Sequence, residues 1–141
     1  MKCINYEKAS SHTVDAGRFE KGLFVKKFSA GISRRKAKRG FFQLSLDMFP
    51  HAEYFIVKAD QSDEEYNIYS TRKKTEDGYE FERLIGKATV EHDKEKRTYL
   101  KMWLSLLKIE LFMNCIPLKE NLQINDIEKD NVLNFAQRLC A

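Results

Sequence analysis

Residues 99–106 read Tyr99-Leu100-Lys101-Met102-Trp103-Leu104-Ser105-Leu106, and the choice between helix and strand here decides the fold. A helix would gather Lys101, Ser105 and Lys108 on one face. A strand would put Leu100, Met102, Leu104 and Leu106 on one side. Strand is the better reading, because the flanks are strand-like and Lys108-Ile109-Glu110-Leu111 continues to alternate. Trp103 is assigned to the core on that strand context.

Working outward, alternation with period two dominates the chain. Phe42, Leu44, Leu46 and Met48 alternate with Gln43, Ser45 and Asp47 until Pro50 stops the run. Leu23–Phe28 reads as a strand after a turn at Glu20-Lys21-Gly22, and Tyr54–Ala59 as a short apolar strand. Tyr66–Thr71 and Tyr79–Ile85 flank a charged loop, Arg72 to Gly78, whose Asp77-Gly78 step favours reversal. Lys87–Glu91 and Arg97–Leu104 form a second hairpin around His92 to Lys96. Near the C-terminus Val132, Phe135, Ala136 and Leu139 recur at i, i+3, i+4 and i+7, the spacing of one helical face. Asn125 or Asp126 can cap that helix, and Arg138 suits its negative end.

The expectation is an α+β domain, predominantly antiparallel β: a small curved sheet or barrel with a C-terminal helix. One domain spans 1–141, with a polar segment (1–17), a basic segment (18–40), the antiparallel sheet (41–118) and the helix (125–140). No sequence repeat or interdomain linker is legible.

The chain has 141 residues and a net charge of +4, distributed unevenly. Residues 1–60 hold 12 Lys/Arg against 6 Asp/Glu, whereas the remainder is slightly acidic. The basic centre is Arg34-Arg35-Lys36-Ala37-Lys38-Arg39, followed by Gly40-Phe41-Phe42. Concentrated like charge repels itself, so such a run stays solvated or meets an anionic partner. The segment Ser29–Gly40 offers only Ile32 and Ala37 for apolar contact, which predicts a mobile arm or a weak helix ordered by binding.

This points to a non-enzymatic nucleic-acid-binding domain, for DNA or RNA. Arg34, Arg35, Lys36, Lys38 and Arg39 would contact phosphates, and Phe41 or Phe42 would dock the arm or stack on a base. Phe41 and Phe49 share the strand face of Gln43, Ser45 and Asp47, which leaves them exposed. Lys26, Lys27, Arg72, Lys73 and Lys74 would extend the surface if they line the same groove. The competing reading is a protein-interaction module, an inhibitor or adaptor capturing an acidic protein.

Catalytic sets are poor, and none is assigned. The histidines are His12, His51 and His92, and a small basic ribonuclease or toxin using His12 or His92 is the third reading. No glycine-rich phosphate loop, zinc spacing or carboxylate cluster is present, so no metal or cofactor is expected. Cys3, Cys115 and Cys140 are odd in number and suggest incidental thiols in a reducing compartment. The first residues lack a signal-peptide core and no stretch reaches transmembrane length, which reads as a soluble cytoplasmic protein without a membrane partner.

Overall fold

The computed structural model describes residues 8–105, 107, 109–115 and 118. They form eight strands: β1 (Ser10–Glu20), β2 (Leu23–Arg35), β3 (Phe41–Leu46), β4 (Tyr54–Lys58), β5 (Glu65–Thr75), β6 (Gly78–His92), β7 (Thr98–Leu104) and β8 (Glu110–Asn114). Each strand pairs antiparallel with the next, and β1 pairs with β8 to close an up-and-down barrel. No helix occurs among the described residues, and the helix expected over 125–140 lies outside them.

Residues at inward positions explain why the barrel holds. Phe42, Leu44, Ile56, Ile68, Leu100 and Met102 are wholly buried. Each such side chain contributes roughly 1.5–3 kcal/mol through burial. A barrel of eight strands is just wide enough to be filled by side chains, so its interior is a packed core. Outward positions such as Lys87 and Glu91 on β6 are polar.

Several expectations need correction. β1 falls in the polar segment 1–17 that suggested no element. Its inward residues are His12, Val14 and Ala16, too small or polar to stand out against Ser11, Thr13 and Asp15. Trp103 is not in the core: Leu100, Met102 and Leu104 point inward, so its parity turns it outward, 56% exposed. Arg72 to Lys74 are not in a loop, because β5 continues to Thr75 and only Glu76 and Asp77 form the turn. Cys115 is disulfide-bonded, which differs from the expected set of incidental thiols.

Although no sequence repeat is legible, strands β1–β4 and β5–β8 repeat one register. Gly31 pairs with Leu46 and Gly86 with Leu104. Both glycines are required by close approach, since a β-carbon would stand 2.0 Å from Ser45 O in one and 2.3 Å from Trp103 O in the other. A bulge precedes each glycine. Asp47 N donates to Ala30 O at 2.8 Å, and Ser105 N to Ile85 O at 2.7 Å. Val14 pairs with Met113 as Ile68 pairs with Ile56.

The bulges bend the two long hairpins back over the barrel wall, because a bulged strand kinks and twists more strongly. The β1–β2 hairpin turns at Lys21-Gly22, both at positive φ (52° and 82°), as a two-residue turn of this hand demands. Its Phe19 and Phe24 lie on Tyr99 of β7 and Phe112 of β8. The β5–β6 hairpin brings Tyr79 and Phe81 onto Phe41 of β3, and Phe81 onto Phe55 of β4.

Candidate nucleic-acid interface

The basic run divides into two parts with opposite fates. Arg34 and Arg35 belong to β2, and parity alone separates them. Gly31, Ser33 and Arg35 point inward, while Arg34 points to solvent. Arg35 is 2% exposed. Its guanidinium donates to the carbonyls of Lys36 (3.1 Å), Arg39 (3.2 Å) and Lys8. It therefore braces the β2–β3 connection from beneath and is not a phosphate contact. The connection is neither an arm nor a helix: Arg39 N donates to Lys36 O at 3.2 Å, and Lys38 adopts φ 64°. This turn presents Lys36 and Lys38 outward.

Arg39 begins the part that matters most. Its guanidinium lies 5.4 Å from the ring centre of Phe41 and 5.6 Å from that of Tyr79. Arg72 approaches the same rings from the hairpin, 4.7 Å from Tyr79, 5.8 Å from Phe41 and 5.1 Å from Phe55. Two cations 33 positions apart in sequence thus share one aromatic platform, held by attraction to the ring faces. Arg72 Nη1 is buried without a hydrogen-bond partner. Phe41 is itself buried under the hairpin, only 7% exposed, and cannot stack on a base as expected. Phe49, at 37% exposure, does face solvent.

Lys73 and Lys74 follow Arg72 on β5 and are exposed. Glu80 sits across from Lys73, and Glu76 and Asp77 form the turn, so the field there is mixed. Among the described residues no ion pair forms with Arg34, Lys36, Lys38, Arg39, Arg72, Lys73 or Lys74. Beside Arg72 and Phe55 opens a cavity of about 450 Å³, walled also by Ser45, His51, Ser70 and Thr71, with Glu53 as its acid. No sequence signal marked it, because its walls come from β3, the β3–β4 connection, β4 and β5.

Lys26 and Lys27 are not brought to this cluster. They ride on the β1–β2 hairpin over β7 and β8, where Lys26 pairs with Asp15 at 3.6 Å.

The catalytic candidates are structural in their settings. His12 is buried, its Nδ1 donating to Asn114 O at 2.8 Å and its Nε2 lying 3.1 Å from Ser10 Oγ. Burial pushes its pKa below the ordinary value, the bond to Asn114 O opposes this, and the Arg35 charge adds to the depression. At 2% exposure it is shut off from solvent. His92 is exposed and engages Thr98 Oγ1 at 3.1 Å. Among the described residues no three His, Cys, Asp or Glu side chains gather as a metal site would require.

The chain matches no protein-family model, no curated protein and no solved structure.

Proposed function

We propose that the protein is a non-enzymatic nucleic-acid-binding barrel whose interface is the outer wall of β3–β4 and the β5–β6 hairpin laid over it. Arg34, Lys36, Lys38, Lys73 and Lys74 meet phosphates. Arg39 and Arg72 are oriented by the rings of Phe41, Tyr79 and Phe55. The 450 Å³ cavity beside Arg72 receives a nucleotide's base or sugar.

The observation that carries the reading is the meeting of Arg39 and Arg72 on one aromatic platform, flanked by unpaired cations. Guanidinium groups fixed in place beside exposed lysines suit a phosphate backbone, since every nucleotide offers an anion. Arg35 and the Lys26–Lys27 pair stand apart from this surface.

The test is the salt dependence of oligonucleotide binding. For a single strand, each neutralised phosphate contact adds about 0.7 to the slope of log K against log salt. Replacing Lys36, Lys38, Lys73 and Lys74 with Gln is expected to lower that slope by about 2–3. Arg35→Met is expected to reduce stability and leave the slope of the folded protein unchanged. Absence of binding at low salt, or a slope indifferent to the four lysines, would overturn the proposal. Capture of an acidic protein in place of nucleic acid would favour the interaction-module reading.

A further inference from the structure

The repeated register gives the aromatic platform a counterpart on the other side of the barrel. Phe41 corresponds to Tyr99, five residues before the leucine opposite each paired glycine, and Phe55 corresponds to Phe112. Counting back from each hairpin turn, the second residue pair is Lys74–Tyr79 in one half and Phe19–Phe24 in the other. Two pairs further on stand Arg72–Phe81 and Gly17–Lys26. Tyr79 therefore faces a guanidinium where Phe24 leans on a bare glycine. Two atoms of the Phe24 ring stand 2.7 and 2.9 Å from where a β-carbon of Gly17 would be. One half supplies its own cation to the rings, and the other supplies none.

Beside this second cluster lies a cavity of about 150 Å³, lined by Phe19, Phe24, Tyr99 and Phe112 together with Asp15 and Asp93. The rings are set at angles to one another. Phe24 and Phe19 stand edge-to-face against Phe112, with centroids 4.9 and 5.4 Å apart, while Phe19 and Tyr99 stack at 5.0 Å. The volume matches that of a cavity able to hold a benzene-sized guest. Arg97 is the one cation on the wall among the described residues, and it is committed to Asp93 (2.9 Å) and Glu95 (3.3 Å). Burial first, then the charges of Glu91, Asp93 and Glu110, raise the pKa of the Tyr99 phenol.

We propose that this cavity binds the head group of an organic cation, a trimethylammonium or a group of like size and charge, against the aromatic rings that line it. Ring faces attract such a cation, and desolvation inside an aromatic cage strengthens the attraction. Asp15 supplies the opposite charge. Its present partner, Lys26 at 3.6 Å, competes for it from the exposed face of the hairpin.

The experiment is an NMR titration of the whole protein with choline and with 3,3-dimethylbutan-1-ol, its uncharged isostere, following Asp15, Phe19 and Tyr99. Choline is expected to bind at least about 10-fold more tightly than the alcohol, an increment of the size that cation–π contact supplies. Asp15→Asn is expected to weaken choline severalfold, and Lys26→Met to tighten it. A peptide carrying one trimethyl-lysine distinguishes the source of the head group. Tighter binding of the peptide than of choline assigns it to a modified protein, and equal binding to a free small cation. Equal affinity for choline and the alcohol, or no shift of the cage resonances with choline, overturns the proposal.

Discussion

Single residues at one end of the barrel hold polar groups that the interior would otherwise exclude. The Ser33 hydroxyl is wholly buried with no hydrogen-bond partner among the described residues, and its counterpart in the second half is Ala88. An unsatisfied buried hydroxyl costs free energy, so Ser33→Ala is expected to stabilise the protein by about 1 kcal/mol. A rise in the urea midpoint at constant slope checks this; a fall would mean that the hydroxyl is satisfied. His12, next to it in register, makes stability depend on pH. Its folded pKa lies below the ordinary 6.5. The unfolded chain therefore binds more protons between the two values, and stability rises with pH across that window. The contribution is complete above about pH 6.5 and is lost as pH falls through the folded pKa, at a limiting rate of about 1.4 kcal/mol per pH unit. Denaturation measured between pH 7.5 and 5 should show this decline in the wild type, and His12→Phe should flatten it.

Among the elements, β7 carries the sharpest contrast between composition and position. Met102 is wholly buried and Trp103 is 56% exposed, although the indole is the larger apolar group. Met102→Ala is expected to cost about 2–5 kcal/mol, and Trp103→Ala less than about 1 kcal/mol. Equal losses in thermal or urea unfolding would mean that the register is wrong. Alternation made β3 and the strand character of 99–104 legible, and an unbroken apolar run did the same for β4, because inward residues there are large and apolar. β1 escaped notice because it turns an imidazole, a valine and an alanine inward. The length of the β5–β6 hairpin escaped because Arg72, Lys73 and Lys74 look like loop residues. Parity also decides which arginine of an adjacent pair is a brace and which faces solvent, yet Arg34 and Arg35 read alike as a charge run.

For the whole molecule, what could not be read from the chain is what depends on distant residues meeting. The doubling of the four-strand unit rests on register, bulges and two tight glycines, so it leaves no repeated wording in the sequence. The two aromatic clusters likewise exist only because the hairpins fold back across the wall. The basic residues of 18–40 are contiguous in sequence, but the fold divides them: Arg34 to Arg39 lie at one barrel end and beside the β5–β6 hairpin, while Lys26 and Lys27 lie over β7–β8. An acid-lined cavity and a cation-rich platform thus occupy different walls of one small barrel, and each can be lost by substitution without removing the other.

Among the described residues the joint between β1 and β8 comprises three residue pairs, Val14–Met113, Asp15–Phe112 and Ala16–Leu111. The Phe19–Phe24 hairpin lies across this seam like a clasp on Tyr99 and Phe112. Any guest seated beneath that clasp touches the first and last strands at once. Filling the cavity would therefore tighten the ring of strands where its two ends meet, so that occupancy at the surface becomes resistance to opening throughout the sheet.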